Sequence, residues 1–207
     1  MSGGRADILV KNPALCTEQG VTRYSSAWTM VTSTQSGAGW AQIGYDKGDD
    51  HGLQLEFFWQ SGSCSSTCLN TSFFGNPSVG TKYNFRVERL ASDGKVRMKL
   101  CDPGSPPSSS CTTYHTTTWD PFQQWSETHV QWFGETKQKS SDMPGVFSER
   151  VGFTQIDIKI SATWIDADVD PCHGSANSPC GTLYDAYHFA WINSPTSFEI
   201  WTAPVDR

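Results

Sequence analysis

The sequence predicts an all-β protein, a two-sheet antiparallel β-sandwich or jelly roll. Apolar and polar residues alternate with a period of two along most of the chain, helical signals are sparse, and turn residues separate many short segments. Such alternation is typical of antiparallel strands that have one face on a core. About a dozen strands of this kind pack most simply as two sheets face to face.

The 207 residues, 37% of them hydrophobic and 13% aromatic, supply enough apolar surface for the core of one domain. No linker, repeat or charge block divides the chain. We therefore expect a single domain over residues 1–207. Residues 1–15 are expected to form an extended N-terminal arm, and residues 165–207 a C-terminal extension with a disulfide loop.

Each strand is predicted from the alternation within its segment, and the longest run is Thr154–Trp164. Asp93-Gly94 predicts a hairpin turn, because glycine tolerates the positive backbone angles that such a turn requires. Asp120 followed by Pro121 predicts a short helical turn. In chain order, the predicted strands are Ala27–Val31, Trp40–Tyr45, Leu53–Trp59, Ser72–Phe74, Tyr83–Val87, Val96–Leu100, His129–Thr136, Thr154–Trp164, Tyr187–Ile192 and Phe198–Trp201.

Charge and hydropathy exclude two classes of partner. The chain has 15 Lys and Arg against 21 Asp and Glu, a net charge of −6, and only 17% charged residues. Nucleic acids and anionic membranes recruit basic surfaces, so we expect neither as a partner. No apolar run approaches the roughly 18 residues of a membrane-spanning helix. We expect a soluble monomer.

Six of the seven cysteines form three close pairs, and each pair brackets a Ser-, Pro- or Gly-rich segment. Short flexible loops closed at their base are natural disulfide sites, and each bridge contributes ~2–3 kcal/mol to stability. Reduced thiols and zinc are the competing interpretations, although this spacing is a poor template for zinc. The pairs are Cys64 with Cys68, Cys101 with Cys111, and Cys172 with Cys180, which leaves Cys16 alone.

The predicted disulfides favour an oxidising, extracellular location. Residues 1–5 contain no apolar segment of the kind found in secretion signals, so we expect that any such signal has been removed. The protein is therefore interpreted as secreted.

The common catalytic and nucleotide-binding motifs are absent. There is no Gly-x-Ser-x-Gly, no His-Glu-x-x-His and no phosphate-binding glycine loop, and we expect no cofactor. The single metal candidate is a structural Ca²⁺ site at Asp166, Asp168 and Asp170, whose alternating carboxylates suit a hard cation. The same segment is more simply interpreted as a solvated loop, since it lacks the glycine and the distal glutamate of a calcium loop.

Four short aromatic and Gln- or Glu-containing motifs follow one another along the chain: Trp28, Gln42-Ile43-Gly44, Glu56-Phe57-Phe58-Trp59 and Gln131-Trp132-Phe133-Gly134-Glu135. In type and order they resemble the motifs of the glutamic peptidases, the eqolisin family. The family implied by this resemblance consists of secreted, acidic β-sandwiches of the concanavalin-like type. By the resemblance, the last glutamate of the fourth motif, Glu135, is catalytic, and Gln42 corresponds to the Gln-x-Gly strand.

Alternation along the two strands supports the same pair independently. Gln42 shares a strand face with Trp40 and Gly44, and Glu135 shares one with Gln131 and Phe133. If both faces line one concavity, the two side chains converge there. A glutamate can then take a proton from water that attacks a peptide carbonyl, while a glutamine amide donates to the oxyanion.

The sequence thus predicts an acid endopeptidase that acts on polypeptides, with Gln42 and Glu135 as catalytic residues. An ordinary glutamate titrates near pH 4.3, so such a base suits acidic conditions. The candidates for gripping an extended substrate are Trp28, Trp40, Glu56, Phe58, Trp59 and Gln131.

Two alternatives stay open. The first is a non-enzymatic carbohydrate-binding sandwich of the lectin type, in which Trp40, Trp59, Trp119 and Trp132 stack on sugar rings. The second is a hydrolase or lyase that acts on polysaccharides and uses two facing acids, for which Glu56 and Glu135 are the candidates. The peptidase interpretation requires Gln42 and Glu135 within reach of one water.

Overall fold

The computed structural model describes residues 2–13, 15, 23–33, 39–62, 69–104, 111–118, 128–136, 150–167, 187–193 and 196–202. These residues form thirteen strands in two sheets, and every strand pair is antiparallel. None of the described residues belongs to a helix long and apolar enough to cross a membrane. The predicted all-β, two-sheet architecture is confirmed.

The larger sheet has eight strands: β1 (Gly3–Leu9), β6 (Lys82–Arg89), β7 (Val96–Cys101), β8 (Thr112–Thr116), β10 (Val151–Ile160), β11 (Thr163–Asp166), β12 (Tyr187–Asn193) and β13 (Ser197–Thr202). The smaller sheet has five: β2 (Tyr24–Ser33), β3 (Trp40–Gly48), β4 (Leu55–Gly62), β5 (Asn70–Phe74) and β9 (Thr128–Thr136). The eight-stranded sheet has the order β12-β13-β10-β1-β6-β7-β8, with β11 paired to β10. The five-stranded sheet has the order β5-β4-β3-β2-β9.

The core lies between the two sheets, because one face of each strand is apolar. Phe85 and Phe153 of the eight-stranded sheet and Ile43 and Tyr45 of the five-stranded sheet are fully buried in one cluster. Val130 and Trp132 of β9 pack against this cluster. The alternation seen in the sequence therefore turns the opposite face of the five-stranded sheet away from the core.

The expected N-terminal arm contains β1, which pairs with both β10 and β6. The segment is therefore an interior strand and not an arm. The sequence did not indicate this, because Arg5 and Asp7 are residue types typical of exposed segments and yet are buried. Arg5 forms an ion pair with Asp157, and Asp7 accepts a hydrogen bond from Asn84. These partners allow charged residues to occupy an interior strand.

Two further predictions concern the C-terminal third. The single strand predicted over Thr154–Trp164 is a hairpin of β10 and β11, with Ser161 in the turn at a φ of 54°. Ser-Ala is not a usual turn pair, so the sequence carries no signal for the turn between the two strands. The C-terminal extension contributes β12 and β13 to the eight-stranded sheet.

Turn chemistry explains the hairpin of β6 and β7, which was predicted from Asp93-Gly94. Gly94 has a φ of 71°, in the left-handed region that favours glycine.

The bridge Cys101–Cys111 is present and confirms one of the predicted disulfides. Cys16, Cys64, Cys68, Cys172 and Cys180 lie outside the described residues, as does the helical turn predicted at Asp120.

Candidate active site

The candidate site lies on the side of the five-stranded sheet that faces away from the core, here called the polar face. Its side chains alternate with core residues along each strand, and residues paired across neighbouring strands form rows. The side chains of the polar face that carry the site are Tyr24, Ser26, Trp28, Gln42, Asp46, Glu56, Phe58, Gln60, Gln131, Phe133 and Glu135.

Glu135 is held by two donors from β2. The Tyr24 hydroxyl donates to Oε1 at 2.7 Å, and the Trp28 indole Nε1 donates to Oε2 at 3.0 Å. The Trp28 ring stacks on Phe133, with ring centroids 5.3 Å apart, which fixes the direction of its N–H. Burial, followed by the charge of Glu135, raises the pKa of Tyr24, so its hydroxyl stays protonated and remains a donor. The carboxylate is therefore fixed in place.

Gln42 takes part in a ladder of amide and hydroxyl groups across three strands. Its side chain is buried, and its Nε2 donates to Gln60 Oε1 of β4 at 2.9 Å. Gln60 Nε2 in turn donates to Thr71 Oγ1 of β5 at 2.8 Å. This arrangement holds Gln42 toward β4 and away from β9.

Gln42 and Glu135 share the polar face, but the structure does not bring them together. Gln42 is paired with Met30 of β2, whereas Glu135 is paired with Ser26 of the same strand. Four residues along a strand span ~13 Å, and β3 and β9 lie ~10 Å apart on either side of β2. Their Cα atoms are thus separated by roughly 16 Å, too far for one water to bridge the side chains.

The row that contains Glu135 continues through Ser26 to Asp46 and Glu56. Asp46 is 7% exposed, and its Oδ2 lies 2.8 Å from His51 Nε2. Burial raises the pKa of Asp46 to about 6, although the hydrogen bond with His51 acts in the opposite direction and lowers it. A second acidic group therefore lies two strands from Glu135 and changes charge near pH 6.

The predicted aromatic grip residues divide between the two faces. Trp28, Trp40 and Phe58 are on the polar face, but Trp28 and Phe58 are each only 5% exposed and offer little surface to a ligand. Trp59 is on the opposite face, packs against the core and stacks on His115 with centroids 3.6 Å apart. Trp59 therefore does not share the polar face with the other predicted substrate-binding residues.

The same geometry weakens both carbohydrate alternatives. Trp132, like Trp59, packs against the core, and its Nε1 donates to the Arg5 carbonyl at 3.0 Å, so neither tryptophan offers a free ring to a sugar. Trp119 lies outside the described residues. The backbones of Glu56 and Glu135 lie three strand spacings apart, ~14 Å, whereas glycosidase carboxylates are separated by roughly 5–9.5 Å.

The remaining predicted positions are only partly described. Gln131 is exposed and Glu56 is half-buried, both on the polar face. Asp166 is exposed at the end of β11, opposite Asp157 of β10. Asp168 and Asp170 lie outside the described residues, so the calcium hypothesis stays a prediction.

Three residues of the site were missed by the sequence analysis: Tyr24, Asp46 and His51. Tyr24 was missed because the predicted β2 began at Ala27, three residues late. Asp46 continues the face of Gln42 by the same period of two and was available from the pattern. His51 lies in the 3-10 turn Asp49–His51 after β3, and no local signal points it at the sheet.

The sequence matches no protein-family model and no curated protein. The fold, however, is similar to that of solved glutamic peptidases. Scytalido-glutamic peptidase with a peptide-based transition state analog gives a TM-score of 0.51 at 11% identity, over 98% of this chain and 92% of that chain. The same peptidase with a transition state analog inhibitor gives 0.52 at 11%, with the same coverage.

SCP-B, a member of the eqolisin family of peptidases in a complex with a tripeptide, gives a TM-score of 0.51 at 10% identity. It too matches 98% of this chain and 92% of its own. At such low identity the likeness concerns the fold alone. The fold resemblance inferred from the four sequence motifs is confirmed, and the roles of individual residues stay predictions.

Proposed function

We propose that the protein is an endopeptidase of the glutamic type that acts on polypeptides at acidic pH, with Glu135 as the general base. The observation that carries the proposal is the anchored carboxylate of Glu135 on the polar face, in a fold shared with peptidases. Tyr24 and Trp28 each donate to one of its oxygens. Among the described residues no further donor occupies the carboxylate, which leaves lone pairs to accept a proton from an attacking water.

The acidic range is supported by Asp46, in the same row as Glu135. Its pKa of about 6 means that it is neutral at lower pH, where the row carries less negative charge. Above about pH 6 the row carries an additional negative charge, and activity is expected to fall.

Gln42 is proposed as the second functional residue, with two roles to be separated. As an oxyanion donor it must reach the carbonyl attacked at Glu135, which requires β3 and β9 to shift from the present register. As a substrate-binding group it needs no shift, because four residues of an extended peptide also span ~13 Å. The geometry favours the second role, in which Gln42 and Gln60 bind the substrate backbone about four residues from the cleaved bond.

The test is digestion of a denatured protein mixture at pH values from about 2 to 7, with the wild type, Glu135→Gln and the control Glu199→Gln. Glu199 is on β13 of the other sheet, where it pairs with Arg150. General base catalysis contributes roughly 10²- to 10⁴-fold, so Glu135→Gln should lose that much activity while Glu199→Gln keeps it. Cleavage undiminished in Glu135→Gln would contradict the proposal.

Absence of cleavage by the folded wild type at any pH would also contradict the proposal. Gln42→Ala separates the two roles of Gln42. Loss of an oxyanion donor lowers kcat by about 10²- to 10³-fold. Loss of a substrate contact instead raises KM and leaves kcat nearly unchanged.

An extracellular location is proposed with the same function. The bridge Cys101–Cys111 supports it, because disulfides persist mainly in oxidising compartments.

A further inference from the structure

A compact group of ionisable side chains lies at the end of β3, beside the row of Glu135. Asp46 is on β3, Asp50 and His51 are in the following 3-10 turn, and Glu56 is on β4. His51 Nε2 lies 2.8 Å from Asp46 Oδ2 and 3.5 Å from Asp50 Oδ1. The His51 side chain is only 8% exposed, so the imidazole is fixed among these carboxylates. This group is called the His51 cluster.

Three of the four side chains of the His51 cluster place a donor atom in the same small space. One ligand atom from each of Asp46, Asp50 and His51 lies within 4.8 Å of the others. Three ligands at ~2.0–2.1 Å from a tetrahedral zinc ion are themselves roughly 3.4 Å apart, so closure needs a small movement. Asp50 is half-exposed and can supply that movement.

Gly48 leaves the space in which these oxygens meet. A Cβ at this position would lie 2.6 Å from Asp50 Oδ1 and 3.2 Å from Asp46 Oδ2. Any other residue would therefore displace the two carboxylates.

The other carboxylate oxygen of Asp46 lacks an ordinary partner. Asp46 Oδ1 is buried and accepts no hydrogen bond of ordinary geometry within the described part of the chain, whereas Oδ2 is the oxygen that approaches His51. Burial of a charged carboxylate oxygen without a partner is costly. A cation bound to the Asp46 carboxylate would offset that cost.

Glu56 completes the arrangement from the other side of the ring. Its Oε2 lies 3.2 Å from His51 Nδ1, off the line of an ordinary hydrogen bond, so a small rotation of the ring would align the pair. Phe73 packs against the imidazole, with ring centroids 4.3 Å apart. A histidine that ligates a metal usually donates its other N–H to a carboxylate, and Glu56 is placed to receive it.

We propose that Asp46, Asp50 and His51 bind a divalent transition-metal ion, with zinc the best fit, while Glu56 orients the imidazole. Mixed imidazole and carboxylate donors suit zinc better than calcium or magnesium, which take oxygen ligands. Three protein ligands leave a fourth position open to water or another ligand. This metal site goes beyond the proposed peptidase and does not depend on it.

The test is calorimetric titration of the full chain, freed of metal with a chelator that is then removed, with Zn²⁺ near pH 7.5. The expected result is one equivalent of Zn²⁺ for the wild type, with binding abolished in His51→Gln and weakened at least about 10-fold in Glu56→Gln. Asp50→Asn is the second ligand variant, because its exposed side chain can be changed without loss of the fold. His129→Gln, an exposed histidine of β9, is the matched control and should bind as the wild type does.

Binding of Co²⁺, read from its visible absorption, distinguishes a built site from surface attachment. The wild type and His129→Gln should give the same spectrum, and His51→Gln should give that of the free ion. Absence of stoichiometric Zn²⁺ binding by the wild type overturns the proposal. So does binding by His51→Gln and Asp50→Asn that equals binding by the wild type, and so does displacement of Zn²⁺ by an equal concentration of Ca²⁺. Since no peptide substrate is involved, failure here and failure of the peptidase proposal are separate results.

Discussion

Asp46→Asn tests whether the buried row of the polar face resists ionisation. The substitution keeps the shape of the side chain and removes its charge. The pKa of Asp46 is raised from 3.8 to about 6 by burial. A shift of about two units corresponds to about 3 kcal/mol, at 1.36 kcal/mol per unit.

The sign follows from the proton affinities of the two states. Because the folded protein holds this proton more tightly than the unfolded chain, stability falls as pH rises above 3.8, and the loss is complete above about 6. Asn cannot ionise and avoids the loss. The free energy of unfolding of Asp46→Asn minus that of the wild type should therefore rise by about 3 kcal/mol between about pH 3.5 and 7.5.

The assay is urea denaturation at several pH values, with a chelator present so that no metal occupies the His51 cluster. Asp49→Asn is the matched control: hydrogen bonds from Arg23 lower the pKa of Asp49, so its difference should change with the opposite sign. His51→Gln should enlarge the effect, because His51 lowers the pKa of Asp46. A difference that stays flat or falls with rising pH would refute the reasoning.

Two further predictions concern stability alone. Replacing Cys101 and Cys111 by alanine removes a bridge with a sequence separation of 10, which loop entropy predicts to contribute about 2.7 kcal/mol. Urea denaturation should show that decrease in the free energy of unfolding, and a decrease of less than ~0.5 kcal/mol would contradict the prediction. Gly44→Ala would place a Cβ 2.1 Å from the Ala27 carbonyl oxygen and should cost about 1–3 kcal/mol or more, whereas the control Gly152→Ala meets only a side-chain atom at 3.8 Å; equal melting temperatures for the two variants would count against the close approach.

Local patterns predicted most of the strands, and failed where burial contradicted residue type. β3 was found from Ala41, Ile43 and Tyr45, whose apolar side chains mark the core face. β1 was missed because Arg5 is buried against Asp157, a partner more than 150 residues away that no local window contains. A charged strand is recognisable from sequence only when its partners are known.

The register between neighbouring strands could not be predicted from the sequence, for a different reason. A period of two assigns Gln42 and Glu135 to faces, and both proved to be on the polar face. The period does not say which residues are paired, because a shift of two positions keeps every side chain on its face. The separation of this pair, and the place of Asp46 in the row of Glu135, could be read only from the strand pairing.

The two proposals for the polar face place different demands on Asp46. Metal binding requires deprotonated ligands, so protons compete with zinc for Asp46 and its neighbours. Glutamic-type hydrolysis is proposed where Asp46 is neutral, below about pH 6. Glu135, in contrast, must be ionised to act as a general base. The two proposals therefore share Asp46 but not the base, and each is tested by its own variant, His51→Gln for the metal and Glu135→Gln for hydrolysis.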